Sequence, residues 1–379
     1  MYEPHIKQAV DRVNRLPGIR IFGFYSLGAH PGQVRLNLHV MRETAFNGSV
    51  RADNYGVSDT GTHRILATLS RYNVSQRGDT LSARLLATEE DGNLYGGINY
   101  RLPLLNDRDA VTTGLYRNQF QVAGDFADLE LEGELSGISL GLERRILQEI
   151  HAKSRLQLAL GLKRSRIRSA IFSDIFASTT EYATAAAALA VELNTGASRQ
   201  QIAAGINAGS ISQRTDESID SRFFITEIDY FLQYNWDSEI PGNYSSSIQL
   251  ELKHSTQVLP APERHLMTGP GTIRGYKPGL FSADSSVTLR LRQNGPLLRP
   301  LKALPLMPFA FIDYGFGKHN DEAGNTAEFL AAGLGLELSL QSQLTAKFTM
   351  GVPLAEDLTQ EPTDAFPNTI FYGYINWAF

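Results

Sequence analysis

The stretch that decides the fold is Phe224-Ile225-Thr226-Glu227-Ile228-Asp229-Tyr230-Phe231-Leu232-Gln233-Tyr234-Asn235-Trp236. One set of alternate positions is mostly apolar or aromatic, and the set between them carries Glu227, Asp229, Gln233 and Asn235. Side chains of a β-strand point to opposite faces in turn, so this period of two predicts a strand with one apolar and one polar face. Strands of soluble sandwiches average about five or six residues, whereas about 9–11 tilted residues cross a membrane. The length therefore favours a membrane-spanning strand.

The same alternation continues from Phe46 to the C-terminus, and it is clearest at 156–163, 248–253, 287–292 and 344–352. We count sixteen such segments, which begin near Phe46, His63, Thr80, Leu94, Ala110, Leu129, Ser154, Tyr182, Gln200, Phe224, Tyr244, Ser286, Met307, Ala327, Leu344 and Thr369. Aromatic residues gather near strand ends, as an interfacial girdle requires. The pattern predicts an all-β transmembrane fold, a 16-stranded antiparallel outer-membrane β-barrel over residues 45–379.

Composition excludes several classes of protein. The 379 residues contain no Cys, which excludes disulfides, zinc-thiolate sites and a cysteine nucleophile. The formal net charge of −5 disfavours a nucleic-acid binder. No run approaches the ~18 apolar residues of a membrane helix. Hydropathy alone would indicate a soluble protein, but transmembrane barrels hide their apolar surface in alternation.

The sequence contains no catalytic or metal-binding motif in the structural context that such a motif requires. Gly137-Ile138-Ser139-Leu140-Gly141 matches a nucleophile elbow, but it lies inside an alternating segment with no helix after it. The eight His form no H-E-x-x-H pattern. We interpret Glu263-Arg264-His265 as a solvated charge cluster. The sequence thus predicts no enzyme, no cofactor and no metal.

The first 44 residues differ from the rest. Ile6, Val10, Val13 and Leu16 share one helical face, and a hairpin follows with strands at Ile19–Leu27 and Gln33–Val40. This piece is too small to bury a good core alone. With sixteen strands, the first strand begins and the last strand ends on the same side of the membrane. Connections on that side, such as 75–79, 106–108 and 339–343, are short. The other side receives the longer connections 173–180, 211–222, 258–284 and 354–368.

Two motifs resemble the signatures of the outer-membrane protein-transport superfamily. The first is Ile273-Arg274-Gly275-Tyr276, near the tip of the longest loop, and the second is Phe311-Ile312-Asp313-Tyr314-Gly315, at the start of the thirteenth strand. The flanking residues, with Phe46-Asn47-Gly48-Ser49-Val50 at the first strand, narrow the resemblance to two-partner secretion transporters of the hemolysin secretion/activation type. It implies that the loop tip folds into the lumen, where Arg274 pairs with Asp313 and the wall partners are Phe311, Asp313 and Gly315.

The resemblance also implies a function. We expect secretion of an unfolded partner polypeptide through a pore gated by the 258–284 loop, with residues 1–44 as a partial POTRA module in the periplasm. Neither a signal peptide nor a further POTRA domain is visible, so we expect a fragment or a misplaced start. Polar-face charges should line the lumen: Glu227, Asp229, Arg290, Arg292 and Lys347.

The last strand resembles the C-terminal signal that the barrel-assembly machinery reads, with Phe371, Ile375, Trp377 and Phe379 on one face. The expected partners are therefore a secreted client, outer-membrane lipid and, during biogenesis, that machinery; the expected state is a monomer. Two alternatives stay open, namely a barrel that assembles or inserts outer-membrane proteins and a passive porin.

Overall fold

A computed structural model describes residues 10, 13–14, 16–30, 32–89, 92–104, 108–149, 151–169, 177–237, 243–301, 304–340, 343–358 and 369–379. Ile6 lies outside the described residues, as do parts of the connections predicted at 106–108, 173–180, 339–343 and 354–368. No helix among the described residues is long and apolar enough to cross a membrane.

The described chain is almost entirely strand. In order the strands are β1 (Ile19–Leu27), β2 (Val34–Glu43), β3 (Phe46–Asp53), β4 (Arg64–Tyr72), β5 (Thr80–Thr88), β6 (Asn93–Pro103), β7 (Asp109–Gln121), β8 (Leu131–Gln148), β9 (Ala152–Ser169), β10 (Ser178–Asn194), β11 (Ser198–Arg214), β12 (Arg222–Asp237), β13 (Asn243–Ser255), β14 (His265–Leu266), β15 (Ser282–Ala283), β16 (Ser285–Asn294), β17 (Leu298–Leu301), β18 (Leu304–Lys318), β19 (Thr326–Leu340), β20 (Leu344–Leu358) and β21 (Ile370–Ala378). Short 3-10 helices lie at Ser58–Thr60, Gly124–Leu129 and Ala261–Glu263.

Sixteen of these strands form a closed antiparallel barrel, which confirms the predicted fold. They are β3 to β13, β16 and β18 to β21, and each coincides with one predicted segment; the short β17 only extends the hairpin between β16 and β18. The seam between β21 and β3 runs from Tyr374 opposite Asp53 to Ala378 opposite Ser49. The Asn54 side chain extends it by bonding the backbone of Phe371 and Gly373.

The two faces of the barrel differ as the alternation predicts. The exterior presents large apolar side chains to its surroundings, for example Leu160 and Leu162, which are 61% and 62% exposed. The interior carries charged, polar and small side chains. The buried core is not in the wall alone, because its largest cluster joins Phe329 and Ala331 of β19 to Met267, Ile273 and Tyr276 of the long loop.

Five strands are longer than fifteen residues. β8 and β9 have 18 residues each, β10 and β11 have 17 each, and β12 has 16. In β9 the extra length was not visible because the exterior positions change from leucine to arginine: Leu162 is followed on the same face by Arg164, Arg166 and Arg168. Without an apolar face, the period of two is lost from the hydropathy pattern.

The N-terminal residues form a separate hairpin. β1 pairs with β2 antiparallel, from Ile19 opposite Glu43 to Leu27 opposite Val34. Asn14, in the helical stretch before the hairpin, binds β1: its Oδ1 accepts from the Ile21 amide at 2.7 Å and its Nδ2 donates to the Ile21 carbonyl at 2.9 Å. The assignment of residues 1–44 to a periplasmic module stays a prediction.

Candidate functional site

The connection between β13 and β16, residues 256–284, folds inward, and we call it the pore loop. β14 pairs with β15 near its base, and Thr268 bridges to Ile273 near its tip. Leu259, Met267 and Ile273 are 0% exposed. Its side chains contact the interior faces of strands on several sides of the barrel, so the pore loop occupies the lumen rather than projecting from the rim.

Arg274 and Asp313 form the central contact of the pore loop. Nε and Nη2 of Arg274 donate to Oδ2 and Oδ1 of Asp313 at 2.7 and 2.6 Å, and the Arg274 amide donates to Oδ2 at 2.9 Å. The guanidinium also lies 3.8 Å above the Phe311 ring. Asp313 is 0% and Arg274 6% exposed. Such a bidentate, buried pair is geometrically specific, and removing one partner strands a charge.

Small residues make room for this contact. A Cβ at Gly275 would lie 2.5 Å from the Cβ of Ala331, and one at Gly351 would lie 2.3 Å from the Arg274 carbonyl oxygen. At Gly315, a Cβ would meet Ile273 at 3.0 Å. Gly315 of the wall motif thus accepts Ile273 of the loop motif, whereas Gly275 packs against β19 and Gly351 of β20 accepts the Arg274 backbone. The wall motif lies in the second half of β18 and not at its start as predicted.

Tyr276 fixes the tip to the next two strands. Its hydroxyl lies 2.9 and 2.6 Å from the carbonyl oxygens of Leu330 and Ala355, beside a register shift between β19 and β20. Its ring packs edge-on against Phe329, with centroids 4.9 Å apart. The hydroxyl of Tyr372 donates to the Tyr276 carbonyl.

The prediction of a solvated charge cluster at Glu263-Arg264-His265 is wrong. Glu263 is only 6% exposed, and its Oε1 accepts from Lys163 Nζ at 2.6 Å and from the Tyr182 hydroxyl at 2.8 Å. Asn207 contacts its Oε2 at 3.4 Å. These partners belong to β9, β10 and β11, 56 to 100 residues away, so adjacent sequence could not reveal them. Glu263 is a second anchor, on a different wall from Asp313.

Asp284 holds the two ends of the pore loop together. It is 0% exposed and accepts from the Leu259 amide at 3.0 Å and the Asn320 amide at 2.8 Å. Arg264 Nε lies 3.2 Å from its Oδ1. The sequence predicted no role for Asp284 in holding the loop. A lone acidic residue next to a serine-rich strand carries no signal of this role.

The five charged residues expected in the lumen lie on the interior face. Three are ion-paired: Glu227 with Lys253 at 2.9 Å, Arg290 with Glu251 at 2.9 Å, and Arg292 with Glu337 at 2.8 Å. Asp229 stands opposite Glu251 in the register, and the Lys347 ammonium lies 5.1 Å from the Phe309 ring centroid. Charges of both signs thus line this part of the lumen.

The aromatic face of the last strand points outward. Phe371, Ile375, Trp377 and Phe379 are each more than half exposed. Phe379 and Gly48 exchange backbone hydrogen bonds at 2.9 and 3.0 Å, and the Phe379 ring occupies the space that a side chain at position 48 would need. The C-terminal residue therefore takes part in closing the barrel.

The chain is thus a closed barrel of sixteen strands, apolar outside and charged inside, with a loop bound in its lumen. The family comparison identifies the class of protein. Residues 32–340 match the model of haemolysin secretion/activation protein ShlB/FhaC/HecB, which spans well over half of the chain, and the chain belongs to this family. It is accordingly a two-partner secretion transporter of the outer membrane, not an enzyme. None of the curated protein sequences compared with it matches.

Solved structures support the fold. CdiB from Escherichia coli superposes with a TM-score of 0.79 at 18% identity, over 100% of this chain and 71% of that one. CdiB from Acinetobacter baumannii gives 0.76 at 16% identity, over 100% and 69%. BamA from Haemophilus ducreyi lacking POTRA domains 1–3 gives 0.65 at 11% identity, over 99% and 78%. At these identities the likeness concerns the fold alone.

Proposed function

We propose that the protein exports an unfolded partner polypeptide through the barrel lumen, and that the pore loop gates this path. The observation that carries the proposal is the bidentate contact of Arg274 with Asp313, which holds the loop tip across the lumen. A polypeptide chain and an anchored loop cannot occupy the same space. Passage therefore requires the pore loop to shift.

The mechanism is conduction and not catalysis. Paired charges of both signs, such as Glu227 with Lys253 and Arg292 with Glu337, keep the interior hydrated. Both signs are present on this surface, so a client segment of either charge meets partial attraction and partial repulsion. We infer that folding of the client outside the cell supplies the driving force.

Opening the gate costs free energy, because the pore loop must leave its buried contacts. Separating Arg274 from Asp313 without a substitute partner leaves two charges in a poorly hydrated place, which is strongly unfavourable. The anchor at Glu263 adds a second contact on another wall. We infer that the resting loop is closed, and that the entering client and lumen water replace these contacts during passage.

The proposal extends to partners and orientation. Residues 1–44 form a periplasmic POTRA-like module, because the short connections, such as 195–197, lie at the same end as the termini, and short turns are periplasmic in such barrels. The outward residues Phe371, Ile375, Trp377 and Phe379 form the signal for the barrel-assembly machinery. The barrel works as a monomer in outer-membrane lipid.

The test is Arg274→Ala, with Lys277→Ala as the matched control because Lys277 is an exposed cation of the same loop. The client is found first, as the polypeptide that disappears from the culture medium of the source bacterium when the gene is deleted. We expect Arg274→Ala to give a folded barrel, judged by heat-modifiable gel mobility. We also expect it to reduce release of that client nearly to the level of the deletion strain, because the pore loop stays in the lumen without its ordered position and Asp313 is left unpaired. Wild-type release by Arg274→Ala, or equal loss in Lys277→Ala, would contradict the gate.

A further inference from the structure

The exterior of β9 changes character along its length. Leu158, Leu160 and Leu162 are exposed and apolar, and the next three residues on the same face are Arg164, Arg166 and Arg168. The change occurs toward the end of the strand that lies away from the termini. Under the orientation proposed above, this is the level of the outer leaflet headgroups.

Neighbouring strands add charges to this surface, which we call the arginine belt: Arg117, Glu132, Glu134, Arg164, Arg166, Arg168 and Glu181. Arg117 pairs with Glu134 at 2.9 Å, Arg168 with Glu132 at 2.8 Å, and Arg164 with Glu181 at 3.0 Å. Within the described part of the chain, Arg166 has no ion-pair or hydrogen-bond partner. These pairs space the guanidinium groups in an ordered row, and Arg117 and Arg168 remain 59% and 63% exposed.

A groove of about 610 Å³ opens among these side chains. Its lining includes Arg117, Arg166 and Arg168 together with Gln119 and Gln121, and also Glu132 and Glu134, which pair with Arg168 and Arg117. The three arginines are permanent cations, and they and the two glutamines donate hydrogen bonds, which suits phosphate and sugar hydroxyl groups.

An apolar recess lies lower on the same wall. It has a volume of about 610 Å³, its floor is formed by alanines of β10 and β11, including Ala185, Ala187 and Ala208, and larger side chains such as Leu158 and Phe224 bound it. From Leu158 to Arg164 the strand rises by roughly 20 Å, at about 3.3 Å per residue. That distance is comparable with the length of a long acyl chain.

The charge is local to this wall. At the same end of the barrel, the exterior of β18 to β20 carries Lys318 together with the carboxylates Glu328 and Asp357. Bulk hydration of protruding strands would not require a row of arginines on one side, an arginine without a partner among the described residues and an apolar recess on the same strands. A ligand with anionic phosphates and acyl chains satisfies all three.

We propose that the arginine belt and the recess bind a phosphorylated glycolipid of the outer leaflet, with phosphate on Arg164, Arg166 and Arg168 and an acyl chain over Ala185 and Ala187. Guanidinium groups bind phosphate oxygens bidentately, and small side chains let an acyl chain approach the wall. The proposal rests on the orientation given above but not on the gate, because this surface faces away from the lumen.

The experiment measures binding of bisphosphorylated hexa-acyl lipid A to the full chain in detergent by native mass spectrometry. We expect Arg164→Gln/Arg166→Gln/Arg168→Gln to weaken binding by about tenfold or more, since charge-assisted hydrogen bonds are lost. The matched control is Arg144→Gln, an exposed exterior arginine at the opposite end of β8 that also has a carboxylate partner, Asp109. Ala187→Phe, which fills the recess, should weaken binding independently of the arginines.

Further arms separate the sources of phosphate. Lipid A freed of its phosphates should bind the wild type as poorly as intact lipid A binds the triple variant, and inorganic phosphate should not displace the intact lipid at equal concentration. Any of three outcomes overturns the proposal. They are unchanged affinity in the triple variant, an equal loss of affinity in Arg144→Gln, and full competition by inorganic phosphate together with no effect of Ala187→Phe. Client release by the triple variant reports on the secretion function separately.

Discussion

At the scale of single residues, Arg274 and Asp313 show that two short motifs can predict a contact when both lie on the expected elements of a long chain. The sequence supplied the two residue types, and the resemblance supplied their pairing. The structure adds that the Arg274 backbone also bonds Asp313 and that Phe311 covers the guanidinium. A lysine could not reproduce this arrangement, because it lacks both the planar fork and the stacking surface.

Gly275 offers a test at this scale. We expect Gly275→Ala to weaken the anchor by ~1–3 kcal/mol through overpacking, because the new methyl group would lie 2.5 Å from the Cβ of Ala331. The reporter is the maleimide labelling rate of Thr268→Cys, which is buried and unique in a chain without Cys. Labelling should accelerate in Gly275→Ala. Gly271→Ala is the control, since a Cβ there meets nothing within 4 Å; the same rate in both variants would contradict the prediction.

At the scale of elements, the pore loop is bound to two separate groups of barrel strands. Arg274 and Tyr276 bind β18 to β20, and Glu263 binds β9 and β10. Asp284 holds the base of the pore loop near the ends of β13 and β18, because it accepts from the backbone amides of Leu259 and Asn320. A loop held at several points loses its conformational freedom once and then gains from each contact, which is why a connection of this length can be ordered in a lumen.

The second anchor predicts a functional effect. Glu263→Gln removes the charge that pairs with Lys163, so we expect more frequent opening events in planar-bilayer conductance recordings than for the wild type. Combined with Arg274→Ala, it should open the pore more than either change alone. Glu227→Gln is the matched control, because Glu227 also pairs with an interior lysine. Wild-type gating in Glu263→Gln would remove Glu263 from the gate.

At the scale of the whole molecule, the closing seam distinguishes export from membrane insertion. β3 and β21 pair over a short register, from Asp53 opposite Tyr374 to Ser49 opposite Ala378, and the ends are secured by Gly48 and Asn54. An insertase would need to open this seam sideways, whereas an exporter uses the lumen. The fold is common to both kinds of barrel.

A disulfide across the seam tests the difference. In Ser49→Cys/Ala378→Cys the two residues stand opposite each other, next to the hydrogen-bonded pair Gly48 and Phe379. We expect client release by the oxidised variant to equal that of the wild type, because export leaves the seam closed. The reduced form of the same variant is the control. Loss of release on oxidation that reduction restores would support the insertase alternative instead.

The period-two alternation alone was enough to predict the barrel, the number of strands and the two faces. Alternation is a local property of a strand, so it can be read from adjacent residues such as those from Phe224 to Trp236. It failed where the exterior turned polar, at Arg164 to Arg168, because the apolar half of the pattern disappears while backbone pairing continues.

Only the tertiary structure decided which charges work together. Glu263 lies 81 residues from Tyr182 and 100 from Lys163, and its sequence neighbours are typical of an exposed loop. Asp284 became a buried clasp only when barrel closure brought Leu259 and Asn320 to it. The sequence determined a barrel of alternating strands with a long loop. Closure of the barrel determined where that loop is held, because burial and ion pairing depend on distances between residues that are far apart in the sequence.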